Sequence, residues 1–353
     1  MDSLTQIALG AAVGEATLGR KVGNKAILWG AIAGALPDLD IVASPLLDSI
    51  SRISWHRGYS HSLMFALLFS PILGWLIYKT YKKKEATWRD WSLLGFWAIF
   101  THIVLDCFTN YGTQVFLPFS DYRVACNNIF IIDPLYTVPI LICIIVVLFI
   151  DRTSRKRRLL NAIGLGLSSF YILLTLIFKF YAGTQFEHSL REQGITYQRY
   201  LTNPTPFNSI LWRAVAESDE GYWIGYYSLF DRSRQISFQF IERNEELIKP
   251  IEDERAVKML KWFSDGYYVI TNHHGLIKFN DLRFGEFAVS EEEAQFPQNF
   301  GMSKARNFRY VFTFVLLNGS ENDENDISIL REGFSLKNRD AVLKQLLQRI
   351  GGV

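Results

Sequence analysis

Two apolar runs, at 129–150 and 159–181, constrain this chain more than any other feature of it. Each is close to the ~20 residues a helix needs to cross the hydrocarbon of a bilayer, and each is nearly free of charge. Two further runs qualify on the same grounds: 62–78, where Pro71 is placed to kink a helix, and 92–110, which carries His102 and Asp106. The segments 4–19 and 26–42 are shorter and rich in small residues, and Arg20, Lys21 and Lys25 lie between them. They read as a tight helical hairpin. Gly10 and Gly14 on one run match Gly30 and Gly34 on the other, a spacing that lets two backbones approach closely in lipid. The expectation is an all-α polytopic membrane domain of about six helices, the first two short.

The charge distribution marks where that domain ends. Residues 1–185 hold 17 Lys/Arg against 11 Asp/Glu, a net of +6, whereas residues 186–353 hold 20 against 24, a net of −4. Charged residues are thus far denser in the second part, as expected of a water-exposed domain following a buried one. The division predicted is a membrane-embedded domain over 1–184 and a soluble domain over 185–353. The acidic balance of the second part, without a basic cluster among aromatics, argues against nucleic acid as a partner. Cys107, Cys126 and Cys143 have no repeated short spacing, which supports neither a disulfide framework nor a thiolate zinc site. The chain begins Met-Asp-Ser without a basic leader region, so its first apolar stretch is expected to be retained.

Orientation follows from the short loops. One loop carries Lys79, Lys82, Lys83, Lys84 and Arg89, another Arg152, Arg155, Lys156, Arg157 and Arg158, while 111–128 has only Arg123. The two basic loops are expected to face the cytoplasm. Threading six helices accordingly puts 43–60, 111–128 and everything after about 182 on the extracytoplasmic side.

Ionisable residues in membrane helices are costly and mark functional sites by default. On this topology they converge on the outer leaflet: Asp2, Asp38, Asp40, His56, Arg57, His61, His102, Asp106 and Asp133. His102 and Asp106 are four apart, so an imidazole and a carboxylate share one helix face, as paired ligands do or as a buried His–Asp hydrogen bond would. Asp38 and Asp40 follow Pro37, whose irregular end can aim both inward. His56 and His61 meet only if Gly58 breaks the helix and Ser60 caps the next one. Arg57 suits a phosphate or carboxylate through its planar fork. Imidazoles with carboxylates and no thiolates suit zinc, manganese or iron, one or two per chain. A metal with an open position activates water for hydrolysis, and Asp38, Asp40 or Asp133 can act as base.

The run MDSLTQIALGAAVGEATLG, the PDLD turn, HRGYSHS, and HIVLDCFTNYG followed by Pro118-Phe119 together resemble the YdjM family, described as LexA-regulated inner-membrane metal-dependent hydrolases. The resemblance covers 1–135 and continues to about 185. It implies a bacterial inner-membrane location and a metal site at Asp38, Asp40, His56, His61, His102 and Asp106, with Asp2 and the Tyr111-Gly112 turn in the same signature. Members often show His where this chain has Gln6, so a ligand is missing here or Gln6 orients another.

After about 186 the pattern changes to alternating strands near 209–217, 221–230, 266–272, 276–283 and 309–317, with Ile236, Phe238 and Phe240 on one face of another. Amphipathic stretches near 186–200, 254–264 and 336–349 read as helices, giving an α+β domain with a mostly antiparallel sheet. His273-His274 sits in a hairpin turn, and Trp212, Trp223 and Tyr226-Tyr227 read as sheet core. Such a domain is expected to act as lid or recognition module for the membrane site. The function expected is hydrolysis, by a metal at the outer leaflet, of an ester or phosphoester of a lipid or lipid-linked substrate, with membrane lipids as partners. The alternative is a non-enzymatic membrane protein, either a metal- or proton-coupled transporter or a metal-stabilised interaction module.

Overall fold

Helix α1 (Ser3–Val22) begins where the Asp2 carboxylate accepts a hydrogen bond from Thr5 N at 3.1 Å, filling a donor that the first turn leaves open. It ends at Gly23, whose φ of 61° suits a residue without Cβ, and α2 (Asn24–Ala35) starts at once. The two helices touch backbone to backbone. A Cβ placed on Gly10 would stand 2.8 Å from Gly34 Cα, and one on Gly14 2.9 Å from Gly30 Cα. The four glycines read from the sequence are therefore the contact surface of the hairpin.

Pro37 cannot continue the α-helical hydrogen bonding, and the chain passes into a 3-10 segment (Pro37–Leu46) bent by 43° from α2. Then come α3 (Ser51–Trp55), α4 (Leu63–Thr80), α5 (Trp88–Cys107), α6 (Pro134–Val147) and α7 (Arg155–Glu192). Ser62 Oγ caps α4 by accepting from Phe65 N at 3.1 Å. Thr87 and Asp90 form a reciprocal capping box on α5. Among the described residues α4 and α7 are each long and apolar enough to cross a membrane, and α2 with the 3-10 segment makes a third span if counted as one bent element. Helix α6 is apolar but shorter, because Asp133 and Pro134 start it four residues into the run at 129–150.

The computed structural model describes residues 1–81, 85–288, 308–318, 327–333 and 339–352, so Lys82, Lys83 and Lys84 lie outside the described residues. Contacts divide the chain into two units: Met1–Leu46, Trp55–Leu176 and Pro206–Asn208 form one, Leu47–Ser54, Ile177–Thr205 and Ser209–Val353 the other. In the first, Leu9 and Val13 of α1 pack with Leu105 of α5 and with Tyr136, Ile140 and Ile144 of α6. Ala26 of α2 joins Leu73 and Ile77 of α4 and Leu94 and Ala98 of α5. Glu15 of α1 and Arg157 of α7 form a buried two-pronged ion pair, Nε to Oε1 at 2.7 Å and Nη2 to Oε2 at 2.6 Å. Apolar side chains such as Leu67, Leu68 and Ile72 of α4 face outward, the arrangement of a protein that meets hydrocarbon.

The second unit holds two four-stranded antiparallel sheets. The first runs β1 (Arg199–Pro204), β2 (Leu211–Glu217), β3 (Gly221–Ser228) and β4 (Phe238–Glu242). The second runs β5 (Tyr268–His273), β6 (Leu276–Ala288), β7 (Phe308–Asn318) and β8 (Ile327–Arg331). Val215, Tyr222 and Ile224 of the first pack with Val269, Leu282 and Tyr310 of the second. Trp212 and Tyr227 are core residues, packed with Phe186 and Leu190 of α7. Helices α8 (Arg255–Phe263) and α9 (Arg339–Ile350) match two of the expected amphipathic stretches. The third, at 186–200, is not a separate helix. No proline interrupts α7 after 181, so it runs on to Glu192; the chain then turns at Gly194, φ 66°, and 199–204 is strand. His273 and His274 lie at the β5–β6 turn, with His274 and Gly275 both at positive φ.

Candidate metal centre

Four side chains from three segments converge inside the first unit. Asp38 comes from the 3-10 segment after Pro37, His61 from a short 3-10 turn (Tyr59–His61), and His102 and Asp106 from one face of α5. One ligand atom from each lies within 4.8 Å of every other, and all but Asp38 are fully buried or nearly so. The edges that meet at the two imidazoles are even. His61 Nε2 is 3.1 Å from His102 Nε2, 3.4 Å from Asp38 Oδ1 and 3.5 Å from Asp106 Oδ2. His102 Nε2 is 3.6 Å from Asp38 Oδ1 and 3.7 Å from Asp106 Oδ2. A tetrahedral ion with ligands at about 2.0–2.1 Å has edges of about 3.4 Å, so the quartet is sized for such an ion.

The surroundings aim these atoms inward. His102 Nδ1 donates to Gly34 O at 2.6 Å, which leaves the Nε2 lone pair facing the quartet. His61 Nδ1 lies 2.9 Å from Ser60 Oγ, whose hydroxyl donates in turn to Asp40 Oδ2 at 3.3 Å; this chain puts the His61 proton on Nδ1. Asp106 Oδ1 accepts from Gln6 Nε2 at 2.8 Å and from the Met1 amine, while Oδ2 is buried and takes part in no hydrogen bond. A buried carboxylate oxygen without a hydrogen bond, beside two imidazole lone pairs, is an arrangement that a cation can complete.

The remaining expected residues stand around the quartet. Asp40 Oδ1 pairs with His56 Nδ1 at 3.1 Å and its Oδ2 accepts from Arg57 N at 3.0 Å, so Asp40 and His56 lie one layer behind His61. Arg57 is buried, with Nε 3.0 Å from Asp106 Oδ2, Nη1 donating to Thr109 Oγ1 at 2.7 Å, and its guanidinium carbon 5.0 Å over the Tyr111 ring. Asp133 is placed elsewhere: it caps α6 through Leu135 N at 3.0 Å and accepts from Tyr171 OH at 2.8 Å. Asp2 likewise serves as the cap of α1.

The turn that carries His56 and His61 differs from the expectation in two respects. The left-handed residue is Arg57, φ 57°, rather than Gly58, and Ser62 rather than Ser60 caps the next helix. Ser60 is thereby free to orient His61. Gln6 orients Asp106, the second of the two roles open to it. The carbonyl of Gly34 and the hydroxyl of Thr109 were not singled out from the sequence, since a backbone acceptor carries no side-chain signal and threonine is common at helix ends.

A family model described as YdjM inner membrane protein matches residues 1–186. The uncharacterized protein YfhP of Bacillus subtilis (strain 168) is 35% identical over 143 residues, which cover 38% of this chain and 42% of that protein, so the match spans less than half of the relative. No solved structure matches.

Proposed function

We propose that this chain, which belongs to the YdjM family of inner membrane proteins, is a metal-dependent hydrolase acting on an ester or phosphoester of a lipid or lipid-linked molecule. The observation that carries the reading is the buried quartet of Asp38, His61, His102 and Asp106. Two imidazoles and two carboxylates suit zinc or manganese. A metal held there would supply Lewis acidity and an activated water. Asp40 holds the His56 Nδ1 proton, which leaves His56 Nε2 as a base able to take a proton from water. Arg57 stabilises negative charge on a phosphoryl or carbonyl oxygen. Asp133, engaged by the start of α6 and by Tyr171, is left out of this assignment.

The membrane arrangement is part of the proposal. We take α1, α2, α4, α5, α6 and α7 as six membrane helices, with the basic residues around 79–89 and 152–158 cytoplasmic and the quartet at the outer leaflet. The sheet unit is then extracytoplasmic, and we assign it to substrate recognition. A site among helix ends at headgroup depth favours an amphiphilic substrate.

One observation favours a second reading. Four protein donors fill a tetrahedral shell, as structural metal sites do, whereas catalytic sites keep a position open. The alternative is a metal-stabilised interaction module. Transport is less well supported: the buried acid Glu15 of α1 has both carboxylate oxygens engaged by Arg157.

The test is elemental mass spectrometry on detergent-purified protein, followed by cobalt(II) substitution and assay against lipid phosphoesters. About one metal per chain, a cobalt spectrum that shifts with added anion, and turnover support the hydrolase. A four-coordinate spectrum indifferent to anions, without turnover, supports the interaction module. A wild type that takes up neither zinc nor manganese overturns both.

A further inference from the structure

Two buried groups of opposite charge form an ion pair at the edge of the quartet without a hydrogen bond between them. Arg57 Nε and Asp106 Oδ2 are 3.0 Å apart, yet neither atom takes part in a hydrogen bond. The same Asp106 oxygen faces His61 Nε2 at 3.5 Å and His102 Nε2 at 3.7 Å. One carboxylate oxygen is therefore claimed both by a guanidinium and by the point on which the imidazoles converge. Arg57 cannot turn to the other oxygen, which Gln6 Nε2 and the Met1 amine already occupy. Its main chain is also held, with N donating to Asp40 Oδ2 at 3.0 Å and the carbonyl accepting from Gln114 N at 3.1 Å. Any adjustment falls to the side chain.

The charges settle what that adjustment requires. Asp38 and Asp106 together balance a dication, and Asp40 gives its oxygens to His56 Nδ1, Arg57 N and Ser60 Oγ rather than to the guanidinium. A dication in the quartet repels Arg57 and draws Asp106 away from it, which leaves the guanidinium without a carboxylate in direct contact. The ligand that gives the guanidinium a new anionic partner is an oxyanion, whose geometry the fork matches.

We infer that Arg57 makes metal binding and oxyanion binding one coupled event, in which a phosphate-type anion strengthens metal binding by taking the guanidinium from Asp106. The inference rests on the metal reading of the quartet and deepens it by naming an anionic, phosphate-bearing substrate class. Coupling of this kind is reciprocal, so it is measurable without turnover.

The experiment is zinc affinity by chelator competition on the full chain in detergent, for wild type and Arg57→Gln, with inorganic phosphate or with phosphatidylglycerol mixed micelles. Without anion, Arg57→Gln is expected to bind zinc at least about tenfold more tightly, because a competing cation is gone. An anion should tighten wild-type zinc binding several-fold and leave Arg57→Gln unchanged; a response to phosphatidylglycerol alone assigns the anion to a lipid headgroup, and a response to inorganic phosphate alone to a free ion. Arg57→Lys, which keeps the charge, should retain part of the response. Equal or weaker zinc binding by a folded Arg57→Gln overturns the inference. If that variant does not fold, a wild type indifferent to both anions overturns it equally. A wild type that binds no zinc overturns the metal reading instead, which keeps the two failures apart.

Discussion

His61 and His102 point their Nε2 atoms at each other across 3.1 Å while their Nδ1 atoms hydrogen-bond away from the contact, to Ser60 Oγ and Gly34 O. Two lone pairs at that distance repel unless a proton or a cation lies between them. On the metal reading, the relationship separates residues that would ligate from residues that would orient. His102→Ala and His61→Ala should each abolish stoichiometric metal by elemental analysis. Asp40→Asn, which disturbs only the orienting layer, should weaken affinity by about 10–100-fold and recover full occupancy at excess metal. Equal behaviour of all three variants would contradict the assignment.

The glycine contact between α1 and α2 leaves no room for a methyl group. Gly10→Ala and Gly30→Ala should each destabilise the protein by about 1–3 kcal/mol in detergent unfolding, since backbone rather than a flexible side chain blocks the new Cβ. Gly166→Ala on α7, where nothing lies within 4 Å, should be neutral or stabilising.

The Glu15–Arg157 pair is buried on both sides, each side chain 2% exposed. Arg157→Met strands the Glu15 carboxylate and should cost about 3–5 kcal/mol, whereas the double variant Glu15→Met, Arg157→Met should recover most of that loss. Unfolding measured across the four proteins of the double-mutant cycle gives the coupling directly.

In the sheet unit, the Lys261 ammonium and the Tyr268 hydroxyl, at 2.7 and 2.6 Å, hold the Glu245 carboxyl below its ordinary value against an opposing effect of burial. A depressed carboxyl stabilises the folded chain above its unfolded pKa and loses that contribution as pH falls through the folded value. Glu245 is partly exposed, so the effect is at most about 1 kcal/mol. The melting temperature of wild type should exceed that of Glu245→Gln near pH 7, with the gap closing below about pH 4.

The helical first half and the antiparallel second half were legible because apolar run length and strand alternation are local properties. Boundaries were less so: nothing between 181 and 192 stops a helix, and β1 and β8 are too short and mixed to announce themselves. At the site, the i, i+4 spacing of His102 and Asp106 and the proline before Asp38 pointed to convergence. Which of Asp38 and Asp40 faces the quartet depends on the pitch of a 3-10 segment, and which of His56 and His61 enters it depends on a left-handed Arg57. Those are backbone choices made by tertiary contacts, and residue types alone do not encode them.

The quartet draws on positions 38, 61, 102 and 106, and only the last two share a helix. A chain whose helices have entered the bilayer separately offers no more than one His–Asp pair, a poor chelator. Capture of an ion by all four groups therefore requires the finished bundle: a metal bound there would report that α5, the bent end of α2 and the turn before α4 have found one another.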